Sequence, residues 1–342
     1  MSFTIPAPGV PGVFEEEVAR RDPAAEPPHT GSALAMFPGQ GSQRPGMAQH
    51  LLARYPDSAG RVLRDAGRTL GVPLAEICVS GTAEQLAQTE ITQPAVLAVG
   101  LATYEALRGE HGFTPAAVAG HSLGEYTALV AAGVLAPDDA VRLVLRRSTL
   151  MAEVGKRVVG AMSAVVGLSS ARVEALCRQG GTPGVVEVAN YNEEWQTVIS
   201  GEFAAVTEVG RRAGDAGAER VVPLRVSAPF HCSLMREIEP EFAAALDRCS
   251  FADPRIPVLS SVTGTWVRSG AQARRLLRAQ LAGPVRWLDV LHTARAAGLG
   301  PYVETGPGRV LSGFARHTVP EATVRSTNDT RHITALLRAG AH

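Results

Sequence analysis

The sequence predicts an α/β protein in two parts: a large domain whose short buried strands run into tight loops and helices, and a smaller β-α-β-β-α-β unit inserted into it. Three observations carry that expectation. The apolar runs Ser32-Ala-Leu-Ala-Met-Phe37 and Ala116-Ala-Val-Ala119 stop at Pro38-Gly-Gln-Gly41 and Gly120-His-Ser-Leu-Gly124, as strands do when they enter sharp loops. Residues 158–226 have a different rhythm that reads as six elements in the ferredoxin-like order. The chain has 342 residues, more than one core usually serves, so a cleft between two parts is expected.

Taken in order, residues 1–31 carry Pro6, Pro8, Pro11, Pro23, Pro27 and Pro28 and lack a basic start or apolar core, so they read as a flexible N-terminal arm rather than a signal peptide. Residues 32–157 and 227–342 are assigned to the large domain and 158–226 to the small one. From about residue 44 to 115 the apolar spacing is helical, with Leu97, Leu101 and Tyr104 on one face and interruptions at Pro56 and Pro73. A helix from about Glu125 to Ala132 follows the second strand. The inserted unit reads as strand 161–168, helix 170–179, strands 185–192 and 196–201, helix 202–217 and strand 219–226. Beyond it, Ile256-Pro-Val-Leu259 and Pro301-Tyr-Val-Glu304 are two more strands, the second running into Thr305-Gly-Pro-Gly308.

Composition narrows the function classes. Apolar residues make up 45% and charged residues 19%, and 33 basic side chains balance 33 acidic ones. Such a balance gives no global field for nucleic acid or a membrane surface. A polyanion would need a local patch, for which Arg268, Arg274, Arg275 and Arg278 are a candidate; the alternative is an ordinary solvated surface. No apolar run reaches the ~20 residues of a membrane-spanning helix. Cys78, Cys177, Cys232 and Cys249 are widely spaced without a CxxC, which suits free thiols in the cytoplasm and offers no metal site.

The strongest chemical signal is Gly120-His-Ser-Leu-Gly124, a G-x-S-x-G turn between a strand and a helix. Glycines permit the sharp turn that exposes Ser122, and the following helix N-terminus favours developing negative charge. A serine nucleophile needs a base. His231, in Val226-Ser-Ala-Pro-Phe-His-Cys232 directly after an apolar strand, is the best candidate. His121 adjoins the serine but neighbours on a tight turn diverge, so it is expected to support the turn. No acidic residue near His231 completes an ordinary triad, and a backbone carbonyl is the alternative partner for the imidazole.

These residues resemble the malonyl-CoA:acyl-carrier-protein transacylases and the acyltransferases of polyketide synthases, over about residues 33 to 315. The resemblance rests on Phe37-Pro-Gly-Gln-Gly-Ser-Gln43, Thr92-Gln-Pro-Ala95, Gly120-His-Ser-Leu-Gly-Glu-Tyr126, Arg147 with Met151 after it, Ala189-Asn-Tyr-Asn192, Pro229-Phe-His231, Pro284-Val-Arg-Trp287 and Glu304-Thr-Gly-Pro-Gly308. It implies a hydrolase-like large domain with a parallel sheet core and a ferredoxin-like insert. It further implies Ser122 as nucleophile, His231 as base and then acid, and the amides of Gln40 and Leu123 as oxyanion hole. Arg147 would pair with the free carboxylate of a malonyl group, with Gln93, Asn190, Phe230 and Met151 also at the substrate. A main-chain carbonyl near Ser260 or Ser261 would steady His231.

The implied reaction moves malonyl from malonyl-CoA to the phosphopantetheine thiol of an acyl carrier protein in fatty acid or polyketide synthesis, without a cofactor. Leu123 and Phe230 resemble malonyl-selective members. This sequence has Arg147-Ser148 where Arg-Gly is common and Ser261 where Asn is frequent, and Glu193-Glu-Trp195 departs from the usual small residues. That last stretch leaves open an unusual acyl group passed between carriers. Two other readings compete: a hydrolase that clears acyl groups from carriers, which gains nothing from Arg147, and a docking scaffold, which predicts a broken catalytic set.

Overall fold

The computed structural model describes residues 32–338; the expected arm at 1–31 lies outside the described residues. The chain opens on β1 (Leu34–Phe37), then α1 (Gln49–Arg54), α2 (Ser58–Leu70), α3 (Leu74–Ser80) and the long α4 (Thr89–His111). Next come β2 (Ala117–Gly120), α5 (Gly124–Ala131) and α6 (Pro137–Arg157). Pro137 opens α6, where its missing N–H costs nothing, and Asp138 and Asp139 favour the positive end of the helix.

Residues 160–223 form β3 (Gly160–Val166), α7 (Ser170–Arg178), β4 (Val186–Glu193), β5 (Gln196–Glu202), α8 (Phe203–Asp215) and β6 (Arg220–Pro223), the six elements in the expected order. The chain continues through a 3-10 turn at Ser233–Ile238, α9 (Glu239–Leu246), β7 (Val258–Leu259), α10 (Gly270–Ala279), β8 (Val285–Arg286), α11 (Trp287–Ala296), β9 (Tyr302–Glu304), α12 (Val310–Thr318), β10 (Val324–Ser326) and α13 (Thr330–Arg338).

Two five-stranded sheets organise the described residues. The first, in order β10-β9-β1-β2-β7, is wholly parallel. Its strands are short and buried along their whole length in β1, β2 and β9, as parallel strands covered on both faces must be. The second runs β6-β3-β5-β4-β8. Four of its strands pair antiparallel, and β8 joins β4 in parallel, Asn190 opposite Val285. Thus a fifth strand from far along the chain completes a sheet otherwise built from residues 160–223. β10 is likewise an addition to the expected strands.

The parallel sheet places its loops. Phe37 lies opposite Gly120, so the loops leaving β1 and β2 emerge side by side at the carboxyl edge, where open α/β sheets hold ligands. The loop leaving β9 joins them: Gly306 and Gly308 press so closely that a Cβ at either would meet Pro38 or Ser42 at 3.1 Å. Glu304, fully buried, accepts from the Leu311 and Ser312 amides at 3.1 and 2.7 Å and so fixes the start of α12 beside that loop. Replacing Glu304 with Ala strands two buried donors, each worth about 1–3 kcal/mol, so urea unfolding should show a loss of about 2–5 kcal/mol, and Glu304→Gln, which keeps one acceptor, a smaller loss.

Candidate active site

Ser122 stands at the tip of the loop between β2 and α5 with φ +52°, and His231 follows β6 with φ +60°. Among the described residues these are the two non-glycine residues in the left-handed region, a conformation that persists only where the surroundings impose it. At Ser122 the imposing contact is the approach of α5 to β1. A Cβ on Gly124 would lie 2.0 Å from the Phe37 carbonyl oxygen, and one on Gly120 would lie 2.0 Å from Gly124 itself. The spacing of the motif's glycines is the imprint of that packing. His231 is held by Pro229, which packs against Gly160, and by Ser233, whose amide and hydroxyl donate to Glu187 on β4 at 2.8 and 2.6 Å.

The two turns bring Ser122 Oγ within 2.7 Å of His231 Nε2. His231 Nδ1 lies 2.9 Å from the Gln280 carbonyl oxygen and 3.2 Å from that of Gly283. Carbonyls only accept, so Nδ1 carries the proton and Nε2 is free to accept from the serine. Burial, then the positive charge of Arg147, pushes the imidazole down to about 3, so it is neutral at physiological pH. The carbonyl partner corrects the expectation of one near Ser260 or Ser261. The Ser261 hydroxyl instead donates to Glu125 at 2.7 Å, while the chain leaving α10 turns its carbonyls toward the imidazole.

Arg147, on α6, is 2% exposed. Its Nη1 donates to Gln93 Oε1 at 2.7 Å, and its Nη2 to Ser122 Oγ at 3.1 Å and Gln280 Oε1 at 3.2 Å. The guanidinium also lies 5.8 Å from the Tyr126 ring centre, a cation–π distance. Burial lowers its pKa, opposed by Tyr126 and Glu125. Gln93, near the start of α4, is oriented on its far side by Met151 Sδ at 3.7 Å.

A cavity of about 450 Å³ opens over these groups, lined by Gln40, Gln93, Ser122, Arg147, Asn190, Phe230 and His231. Met151, expected at the substrate, is instead fully buried behind Gln93 and off the cavity wall, and meets the lining through the Gln93 amide. Gln40 lines the cavity in the loop after β1, and Leu123 follows the serine. Among the described residues no partner takes the backbone N–H of either. Sequence reading missed Gln280, Glu125 and Asn192, whose side chain meets His121 Nε2 at 2.9 Å. The signal for Glu125 was a carboxylate on a helix otherwise apolar.

The departures fall outside the cavity. Ser148 turns its hydroxyl back to the Leu145 carbonyl at 2.9 Å. Glu193 ends β4 and Glu194 and Trp195 form the turn to β5, with Glu193 bonded to His317 at 2.8 Å and Trp195 58% exposed. Of the arginine run, Arg268 precedes α10 and Arg274, Arg275 and Arg278 lie on it, where Arg274 pairs with Asp247 at 3.0 Å and Arg278 faces Glu239 at 4.0 Å.

The family model described as acyl transferase domain matches residues 36–335. This chain belongs to the acyl transferase family. It is 38% identical over 302 residues to the malonyl CoA-acyl carrier protein transacylase of Escherichia coli K12, covering 88% of this chain and 97% of that one. Among solved structures, a malonyl-CoA:acyl carrier protein transacylase of Xanthomonas oryzae superposes with a TM-score of 0.88 at 36% identity, covering 92% and 100% of the two chains. A structure described as a type II PKS acyl-carrier protein in complex with its malonyl-transacylase superposes at 0.86 with 36% identity, covering 90% and 99%.

For this acyl transferase the elbow packing has a direct test. Alanine is the better helix former, by roughly 0.5–1 kcal/mol, so Gly124→Ala would stabilise α5 were the close approach absent. The clash with β1 reverses the sign: chemical unfolding should show a loss of about 1–3 kcal/mol, with slower labelling of Ser122 by a serine-directed phosphonate.

Proposed function

We propose that this enzyme transfers a malonyl group from malonyl-CoA to the phosphopantetheine thiol of an acyl carrier protein, through an ester on Ser122, in fatty acid or polyketide biosynthesis. The observation that carries the reading is a buried guanidinium 3.1 Å from the serine hydroxyl. A carboxylate two carbons from the acyl carbon on Ser122 meets that cation at once, and a neutral acyl chain leaves it without an anion. Such a contact is charge-assisted and bidentate, and it is worth most in a dry site.

His231 Nε2 takes the Ser122 proton as Oγ attacks the thioester carbonyl. The amides of Gln40 and Leu123 hold the tetrahedral oxyanion, each such donor being worth about 10²–10³ in rate. As the carbon–sulfur bond breaks, the leaving thiolate of coenzyme A takes the proton from His231. The carrier's thiol then gives its proton to His231, attacks the acyl-serine, and the serine leaves with that proton. The acid's carboxylate has a second effect: it offsets the Arg147 charge that depresses His231 and so makes the imidazole more basic when a malonyl group is bound. Gln93 and Asn190 orient the acyl group, and Phe230, 7% exposed on the wall, leaves little room for a 2-alkyl branch.

The reaction draws on side chains and amides of this chain alone, so we assign no cofactor. No helix among the described residues is long and apolar enough to cross a membrane. We place the enzyme in the cytoplasm, a reading supported by four free cysteines.

Brief exposure to malonyl-CoA should add one malonyl group by intact mass, Ser122→Ala should add none, and Arg147→Ala should lose the preference for malonyl over acetyl. Loading of Ser122→Ala, or a parent that prefers acetyl, contradicts the assignment. A pH series gives a second check. A lowered pKa keeps the imidazole neutral below the ordinary histidine value of about 6.5, so kcat/KM for malonyl loading should stay within about twofold from about pH 8 to about pH 6. A half-loss centred at 6.5 or above would mean that burial does not govern His231.

A further inference from the structure

Gln280 joins the parts of the centre. Its main-chain oxygen holds His231, its Nε2 donates to the Glu125 carboxylate at 2.7 Å and to the Ser122 carbonyl at 3.1 Å, and its Oε1 accepts from Arg147 at 3.2 Å. A side-chain amide has a donor end and an acceptor end of nearly equal shape, and only its neighbours decide which faces where. Arg147 requires the acceptor end, because a guanidinium only donates. Glu125, 1% exposed, supplies the complementary demand: burial raises the pKa of its carboxyl, and the oxygen turned to Gln280 accepts from both the Gln280 amide and the Ser261 hydroxyl, so it acts as an acceptor. The Ser261 hydroxyl holds that carboxylate in place at 2.7 Å.

We infer that Glu125 is a positioning residue for selection of the carboxylated acyl group: it fixes the Gln280 amide so that the oxygen faces Arg147 and keeps the guanidinium beside Ser122. This rests on the reading of Arg147 as the acid-recognising residue. Glu125 touches neither the acyl group nor the reacting atoms. It acts along the line Glu125–Gln280–Arg147, and it also contributes negative charge that opposes the desolvation of Arg147. Glu125 and Tyr126 both follow Ser122 on the first turn of α5, so the motif that exposes the nucleophile also carries the anchor and the ring beside the cation.

The test measures single-turnover loading of Ser122 from malonyl-CoA and from acetyl-CoA, and reads the ratio of the two rates. Glu125→Gln keeps the shape but can donate to Gln280, which frees its amide to turn a donor toward Arg147; the malonyl preference should fall by about tenfold or more. Gln280→Met removes the amide yet leaves the main-chain carbonyl that His231 uses, and it should lower the ratio similarly. In an Arg147→Ala background, Glu125→Gln should change the ratio by less than about twofold, because both act on one contact. If folded Glu125→Gln keeps the parent's ratio, or lowers it equally in both backgrounds, the positioning role is overturned while the proposed function stands. Should Glu125→Gln fail to fold, Gln280→Met decides: a parental ratio overturns the inference. A parent that takes no malonyl on Ser122 overturns the functional reading itself.

Discussion

A guanidinium 2% exposed to solvent sets the terms for the rest of the centre. Removing a charge from water costs several kcal/mol unless hydrogen bonds and nearby charge replace the lost hydration. Around Arg147 the protein provides two amide oxygens, a hydroxyl, an aromatic ring and, one residue removed, a carboxylate. None of these is a carboxylate in direct contact with the cation. A direct ion pair would have satisfied the arginine permanently; amide oxygens solvate it well enough to fold and leave it without a contacting anion. The solvating groups come from α4, the elbow and the end of α10, so the cation is tolerated only when those elements are packed together.

The same packing carries the backbone strain. Ser122 and His231 each occupy the left-handed region, which costs on the order of 1–3 kcal/mol per residue. Neither has a local reason to be there. The elbow is held by the contact of α5 with β1 through Gly120 and Gly124, and the histidine by Pro229 and Ser233. Strain at both ends of the 2.7 Å hydrogen bond is therefore upheld by helix-on-strand packing at the serine and by Pro229 and the Ser233–Glu187 hydrogen bonds at the histidine, so the fold itself aligns the pair.

What sequence made legible was whatever is local. Strands that end in glycine loops, the six-element rhythm and the G-x-S-x-G turn each depend on neighbours within a few residues, and all three appear in the fold. Short strands at the margins did not announce themselves: Val285–Arg286 and Val324–Ser326 are too brief for alternation to register. The partner of His231 was misplaced for a different reason. A main-chain carbonyl belongs to every residue and leaves no mark in composition, so only the path of the chain after α10 reveals that Gln280 and Gly283 supply it. Gln280 and Glu125 stayed hidden because their meaning lies in each other, 155 positions apart.

The strand β8 has a mechanical meaning. Asn190 of the cavity wall sits in register with Val285, and the carbonyls that clamp His231 belong to Gln280 and Gly283, a few residues earlier on the same stretch. The cavity wall at Asn190 and the clamp on the His231 imidazole are thus stitched to one short ribbon. Swinging the second sheet outward would drag the imidazole off the serine. Register in one sheet and alignment of the Ser122–His231 pair are thus one mechanical problem, solved by the same few residues.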